Sequence, residues 1–289
     1  MQKKNKPDNQ KIIILTNRCN QDCVFCSGTE RRVTVKAEIK KEILTARRAV
    51  IFEGGEPTLS VNLINLIKFA KNNNVPEIIL VTNGVMLSSK NLTEKLIDSG
   101  VTLFNISFHS HLLSLYNKIT KSNYYHLATR GIKNLINCGA SKKTRLTFVV
   151  SKINYKTMPA YIRWVIKNFP DIFYIALNYI KVLGVVKKNP YKYVPRFSAV
   201  KPYLLRSLEI ARKNKVKVLV DGFPLCLMKE YPKYRYREDT YEFMVSGNLS
   251  FAQEKVRVQK CKTCSLNSVC NGIRDDYFKL YKNKELRPQ

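Results

Sequence analysis

The chain has 289 residues, enough for one large α/β domain and a smaller appendage. Its 51 Lys and Arg against 21 Asp and Glu leave a formal charge of +30, which suits a polyanionic partner, an acidic peptide substrate or a solvated basic surface. No apolar run approaches the roughly 18 residues of a membrane span, and the basic residues 1–10 lead into no stretch apolar enough for a secretory signal, so a soluble cytoplasmic protein with no membrane contact is expected.

Residues 12–15 read as a first strand and run into Thr16-Asn17-Arg18-Cys19-Asn20-Gln21-Asp22-Cys23-Val24-Phe25-Cys26. Ile39, Ile43 and Ala46 recur at helical spacing. Residues 49–52 form a short apolar strand, followed by Glu53-Gly54-Gly55-Glu56-Pro57 and a helix marked by Leu63, Ile67 and Ala70. Residues 77–82 are a third strand, followed by Asn83-Gly84. The next helix, 88–99, has a serine at its start and Gly100 as its stop. Residues 102–108 are a fourth strand, and Tyr125, Ala128, Ile132 and Leu135 stripe a fourth helix. A β-branched strand at 144–150 precedes a helix carrying Met158, Ile162, Val165 and Phe169, which stops at Pro170. Residues 173–182 are a sixth strand, and a helix with Leu204, Leu208 and Ala211 leads to the apolar residues 216–220.

Six repeats of strand then helix with short connections predict parallel βαβ units. They are too few for a closed eightfold barrel. The expected fold is α/β, a partial (β/α)6 TIM-like barrel over 11–185, with a connecting helix and a small cysteine-rich C-terminal domain over 186–289. Chemistry in such folds gathers at the C-terminal ends of the strands. The Cys19–Cys26 loop, Gly54-Gly55-Glu56-Pro57 and Thr82-Asn83-Gly84 all fall there.

Seven of the eight cysteines form two sets with metal-ligand spacing, and a reducing cytosol favours metal or cluster sites over disulfides. Cys19, Cys23 and Cys26 stand at C-x3-C-x2-C. Three thiolates are one short of a closed tetrahedral site, which fits a cubane iron–sulfur cluster with one iron left open, or a zinc knuckle completed by a distant ligand. Cys226, Cys261, Cys264 and Cys270 follow C-x34-C-x2-C-x5-C, four thiolates that can close around zinc or hold a fully ligated cluster. Cys138, at a helix end, reads as a buried inert thiol. Residues 185–237 hold fourteen Lys/Arg against three Asp/Glu with six tyrosines interleaved, as in Tyr191-Lys192-Tyr193 and the run 231–237.

With these residues in view, the chain resembles a radical S-adenosylmethionine (radical SAM) enzyme over roughly residues 11–185. The cysteine loop with Phe25 before its last cysteine, the Gly54-Gly55-Glu56-Pro57 run after the second strand, Thr82-Asn83-Gly84 after the third and Ile106-Ser107 on the fourth match that superfamily in order and place. The resemblance implies that Cys19, Cys23 and Cys26 ligate a [4Fe–4S] cluster whose fourth iron binds the methionine end of SAM. An electron from the reduced cluster would then cleave SAM to methionine and a 5′-deoxyadenosyl radical, which takes a hydrogen from the substrate. It implies cofactor contacts for Phe25, Gly54, Gly55, Glu56, Pro57, Asn83, Ser107 and Asn178. Many relatives carry an acid soon after the serine; here the text is Ser107-Phe108-His109-Ser110-His111. That makes His109 and His111 candidate proton donors.

The second cysteine set resembles the C-terminal auxiliary-cluster domains called SPASM and twitch. A SPASM run closes with one more cysteine where this chain has Arg274, so the shorter twitch type with one auxiliary [4Fe–4S] cluster, or zinc, is implied. Auxiliary-cluster relatives mostly modify peptides, which puts a maturase-type reaction first. The ten residues before the first strand are too few for a leader-peptide-binding domain, which weakens the peptide reading. A tRNA or a nucleotide-like small molecule is the alternative substrate, the Tyr-rich basic stretch at 189–237 suiting an acidic peptide or an RNA backbone with stacked bases. An electron donor such as flavodoxin or ferredoxin is implied, with an acidic peptide or RNA favoured by the charge. A non-catalytic, zinc-clamped nucleic-acid-binding protein is the alternative of another class.

Overall fold

The computed structural model describes residues 10–28, 31–228, 231 and 255–289. The basic tail at 1–9 and most of the tyrosine-rich run 231–237 lie outside the described residues. Seven strands follow chain order in one sheet that does not close: β1 (Gln10–Ile14), β2 (Ala49–Glu53), β3 (Glu77–Thr82), β4 (Leu103–Ser107), β5 (Thr144–Val150), β6 (Tyr174–Tyr179) and β7 (Val218–Asp221). The helices are α1 (Lys36–Thr45), α2 (Leu63–Asn72), α3 (Lys90–Ser99), α4 (Leu113–Thr120), α5 (Tyr125–Asn137), α6 (Met158–Asn168), the short α7 (Pro190–Tyr193), α8 (Phe197–Lys213) and α9 (Asp275–Tyr281). This is the open α/β barrel expected from the strand–helix alternation.

The chain divides into two compact units. The first lies within Met1–Asp22, Gly28–Ser107 and Ser122–Arg145. Here β1 to β4 pair in parallel, with Ile12 opposite Ile51, Ile51 opposite Ile79, and Ile79 opposite Leu103. Strands covered on both faces need continuous rather than alternating apolar runs, and Val50, Phe52, Leu80 and Phe104 are fully buried. Ser89 caps α3 by accepting from Leu92 N, and Gly100 ends it in a left-handed conformation.

Helix α5 fixes the end of β3. A Cβ placed on Gly131, mid-helix, would lie 2.1 Å from the Gly84 carbonyl oxygen and 3.0 Å from Leu87 Cβ. Asn134, one turn on, donates to the carbonyls of Leu87 and Ser88 at 2.8 and 3.0 Å. The helix therefore lies directly against the Thr82-Asn83-Gly84 turn.

The second unit holds Cys23–Ser27, Phe108–Lys121 and Leu146–Gln289. In it β7 pairs in parallel with β6, Ala176 opposite Leu219 and Asn178 opposite Asp221, so the sheet runs past residue 185 and has seven strands, one more than six repeats supply. Helix α4 is also additional. It is short, has no side-chain cap, and buries only Tyr116, Ile119 and Thr120, too weak a stripe to announce itself. Helices α6 and α8 cover this part through Tyr161, Ile162, Val165, Leu204 and Leu208, all essentially inaccessible. Two residue pairs form β8 (Lys255–Val256) and β9 (Ile273–Arg274), which are antiparallel.

In an exposed helix Gly→Ala stabilises by about 1 kcal/mol. For Gly131→Ala the backbone contact reverses the sign: a loss of about 1–3 kcal/mol is expected from overpacking, read as a lower melting temperature. An unchanged or raised melting temperature would contradict the close packing of α5 on Gly84.

Candidate active site

Cys19 belongs to the first unit, whereas Cys23 and Cys26 belong to the second. In the first, the loop after β1 is gripped by the loop after β2. Gly55 N donates to Thr16 O at 2.6 Å and Glu56 N to Arg18 O at 2.8 Å. A Cβ on Gly54, which sits at φ 144°, would come within 2.4 Å of Thr16 O, and one on Gly55 within 2.2 Å of Arg18 O. Both glycines are thus required by the approach of the cysteine loop itself. Pro57 follows as the buried first residue of a short 3₁₀ turn.

Glu56 is 1% exposed. Its carboxylate accepts from Thr58 N at 3.1 Å, from the Thr58 hydroxyl, from the Thr82 hydroxyl at 2.6 Å and from Asn83 N at 2.8 Å. Burial pushes its pKa up, and these donors pull it back down. Asn83 continues the chain of contacts. Its amide nitrogen donates to Asn20 Oδ1 at 2.6 Å and lies 3.8 Å from Cys19 Sγ, while its Oδ1 accepts from Val85 N at 3.0 Å. Gln21 N also donates to Cys19 Sγ, at 3.4 Å. Such N–H···S contacts favour a thiolate. Ser107 closes β4, half-buried.

In the second unit Cys26 N donates to Cys23 O at 3.0 Å, Val24 N to Ile119 O at 2.9 Å, and Val185 N to Cys26 O at 3.1 Å. Phe25 is buried with its ring 5.3 Å from that of His109, edge to face. His109 Nδ1 accepts from Val149 N at 3.2 Å. Burial lowers the pKa of His109 to about 4, so its imidazole is neutral at pH 7. Asn154 was not anticipated: wholly buried, it donates to His109 O at 3.0 Å and Val149 O at 2.9 Å and accepts from Ser151 N at 2.9 Å. The only local sign of it is a Ser-x-x-Asn turn after an apolar strand. His111 is placed against α6 instead, 6.3 Å from Tyr161 and 6.2 Å from Trp164 between ring centroids. Asn178, near the end of β6, keeps its buried Oδ1 without a donor.

Cys226, Cys261, Cys264 and Cys270 line one pocket in the second unit, with Asn267, Leu266 and Ile273. Gly272 N donates to Cys270 Sγ and Gln289 N to Cys264 Sγ, each at 3.4 Å. Burial pushes the Cys226 thiol up, and the other three cysteines add to this. All eight cysteines are free of disulfides. Among the described residues, no three His, Cys, Asp or Glu donors already stand grouped as a metal site. Arg274 is buried. It is ion-paired with Asp276 and donates to Tyr179 O at 3.0 Å, anchoring β9 to the end of β6.

Comparison with known proteins matches residues 13–165 to the family described as the Radical SAM superfamily. A protein of Methanocaldococcus jannaschii named "Probable GTP 3′,8-cyclase" is 27% identical over 232 residues, covering 74% of this chain and 73% of its own. One of the same name from Sulfurisphaera tokodaii is 29% identical over 204 residues, covering 66% of this chain and 62% of its own. The solved structure of the FeFe-hydrogenase maturase HydG from Carboxydothermus hydrogenoformans superposes with a TM-score of 0.57 at 16% identity, over 78% of this chain and 56% of that one. The last likeness is one of fold alone.

Two outcomes follow from the site. Glu56→Gln places an NH2 among donors, so a loss of about 1–3 kcal/mol in unfolding free energy is expected; unchanged denaturant midpoints would count against the four-donor arrangement. For His109, the unfolded imidazole gains a proton below its ordinary 6.5 but the folded one only near 4. The stability that His109 lends is therefore intact above 6.5 and lost as pH falls towards 4, by up to about 3 kcal/mol. Urea melts from pH 7.5 to 4.5 should show this slope in the parent and a shallower one in His109→Gln.

Proposed function

The chain belongs to the radical SAM superfamily, a SAM-dependent iron–sulfur enzyme, and we propose that its substrate is a nucleotide, with GTP the first candidate. One observation carries this: the two relatives named for GTP 3′,8-cyclisation align over 73% and 62% of their own length. Peptide modification, first choice on the auxiliary-cluster resemblance alone, falls behind it.

The donor chemistry of this chain fits the group the superfamily requires. Cys19, Cys23 and Cys26 are free thiols, exposed or half-exposed, of the soft type that iron–sulfur clusters take. When bound and reduced, the cluster with SAM supplies a 5′-deoxyadenosyl radical that removes a hydrogen atom from the substrate. Asn83 and Gln21 hold the Cys19 sulfur as a hydrogen-bond acceptor. Glu56 and the two glycines hold the loop that carries it. Glu56 takes three protein donors on Oε1 and one on Oε2, which positions Asn83 and, through it, Cys19, and leaves Oε2 with acceptor capacity for the ammonium of SAM. Asn178, with a buried carbonyl oxygen lacking a donor, is suited to accept a hydrogen bond from SAM or substrate. His109 Nδ1 is occupied by Val149 N, which leaves Nε2 to carry the proton of the neutral ring. The four C-terminal cysteines, gathered on one pocket, are suited to an auxiliary [4Fe–4S] cluster of the twitch type, with zinc the other occupant of such a set.

Anaerobic reconstitution with iron, sulfide, SAM, dithionite and GTP tests the reading. The expected result is 5′-deoxyadenosine together with a 3′,8-cyclised nucleotide, both lost on changing Cys19, Cys23 or Cys26 to Ala. Iron should stand at about eight per chain and fall to about four when Cys226 and Cys261 become Ala. 5′-Deoxyadenosine that rises with an acidic peptide or tRNA, and not with GTP, would overturn the nucleotide assignment.

A further inference from the structure

A cavity of about 620 Å³ in the second unit belongs to neither cysteine site. Its wall comes from four separate segments: the loop after β5 with Lys152, Tyr155 and Lys156, α7 with Tyr191, the residue before α8, Arg196, and the end of α9 with Tyr281. No carboxylate is among the described residues that line it. None of Cys23, Cys26, His109, Asn178 or the four C-terminal cysteines lines it either.

The rings are held in place. Tyr281 donates its hydroxyl to Val194 O at 2.9 Å, Arg196 lies 4.6 Å over its face, and Tyr191 stands 5.8 Å away at 76°. Tyr155 meets Tyr203 edge-on at 5.3 Å. Lys152 is committed to the Tyr191 carbonyl at 2.6 Å, which pins α7 to the β5 loop. Two cations then remain for a ligand. Lys156 and Arg196 are both exposed and neither makes an ion pair among the described residues. The carboxylate that the Arg196 charge does reach, Glu285, is taken up by Ser198 N and the Tyr277 hydroxyl. Tyr191 keeps 54% of its surface exposed at this cavity.

Two cations that make no ion pair among the described residues, beside the exposed ring of Tyr191, suit a ligand with a multiply charged anion and a flat π-face. The volume falls within the usual range for a small-molecule site, roughly 300–1,000 Å³. An acidic peptide would use the cations and leave the rings bare. From this we infer that the cavity is a second nucleotide-binding site, taking the 5′-phosphate of a free nucleotide on Lys156 and Arg196 and its base against Tyr191. It does not depend on GTP being the substrate, because the residues that form it take no part in SAM chemistry.

Calorimetric titration of the full-length, cluster-loaded protein with AMP tests it, with SAM in excess to fill the adenosyl site and salt at about 150 mM to screen loose attraction to the basic surface. AMP should bind at least roughly tenfold more tightly than either adenosine or inorganic phosphate, since both halves contribute. Arg196→Gln with Lys156→Gln, and separately Tyr191→Ala, should each weaken AMP by roughly tenfold or more, while Tyr191→Phe keeps the affinity, as stacking needs only the ring. These exposed positions leave the yield of 5′-deoxyadenosine unchanged. The inference is overturned if AMP binds no better than phosphate, if the variants leave its affinity unaltered, or if a uridine decamer binds far more tightly than AMP and loses that affinity in the same variants, which would make the surface an RNA site.

Discussion

The buried carboxylate of Glu56 is the constraint on which the first unit's strand ends depend. Removing a carboxylate from water is costly unless hydrogen bonds replace its hydration, and no cation lies among its partners. Two backbone N–H groups and two hydroxyls supply the replacement. Each comes from a segment that must be placed: Thr58 from its own turn, Thr82 and Asn83 from the end of β3. Because Glu56 N also reaches back to Arg18 O, one residue ties the ends of β1, β2 and β3. Asn83 then passes that order to Asn20 and to the Cys19 sulfur. A cysteine on a loop is thereby held by strands.

This arrangement also explains what could be read in the sequence and what could not. The motif at 54–57 stands out by its spacing after a strand, and so do Cys19, Cys23 and Cys26. Their locations are local facts. What each residue does is not. Gly54 and Gly55 read as a cradle for a ligand, and only the fold shows that Thr16 O and Arg18 O also stand where any side chain at these positions would go. Asn83 reads as a ligand contact or a turn residue, and only the approach of residue 20, sixty-three positions away, shows where its amide goes. Asn154 shows only a Ser-x-x-Asn turn in the sequence, because its two acceptors belong to a histidine on another strand end and to the strand before it. Helix α4 and strand β7 escaped the count of repeats for a simpler reason: both are short, and β7 needs its pairing with β6 to declare it a sheet member.

The net charge of +30 separates in the same way. Most exposed lysines and arginines are solvated, and single surface ion pairs such as Lys90–Glu94 contribute little. A count of charges cannot distinguish these from cations that make no ion pair among the described residues and stand beside fixed aromatic rings. Lys156 and Arg196 become distinctive only when α7, α8 and α9 bring Tyr191 and Tyr281 beside them. Position in the fold, more than abundance, gives a basic residue its meaning here.

Arg274 stands four residues after Cys270. Related runs close with a further cysteine at that place; here the side chain is a buried guanidinium bonded to Asp276 and to the Tyr179 carbonyl, with its charge also felt by Asp221. Asp221 is paired with Lys255 at 3.0 Å, and Lys255 stands opposite Arg274 in the β8–β9 ladder. Behind it, Tyr277 stacks on Phe197 at 3.7 Å between centroids and donates to Glu285. A cysteine at 274 would remove the cation from Asp276, whose carboxylate keeps Val182 N and Tyr277 N as donors, and would take the Arg274 donor from the buried Tyr179 carbonyl. The position has been given to anchoring the cysteine-bearing segment onto β6. A cysteine at this position would therefore loosen the hold of the cysteine-bearing segment on β6.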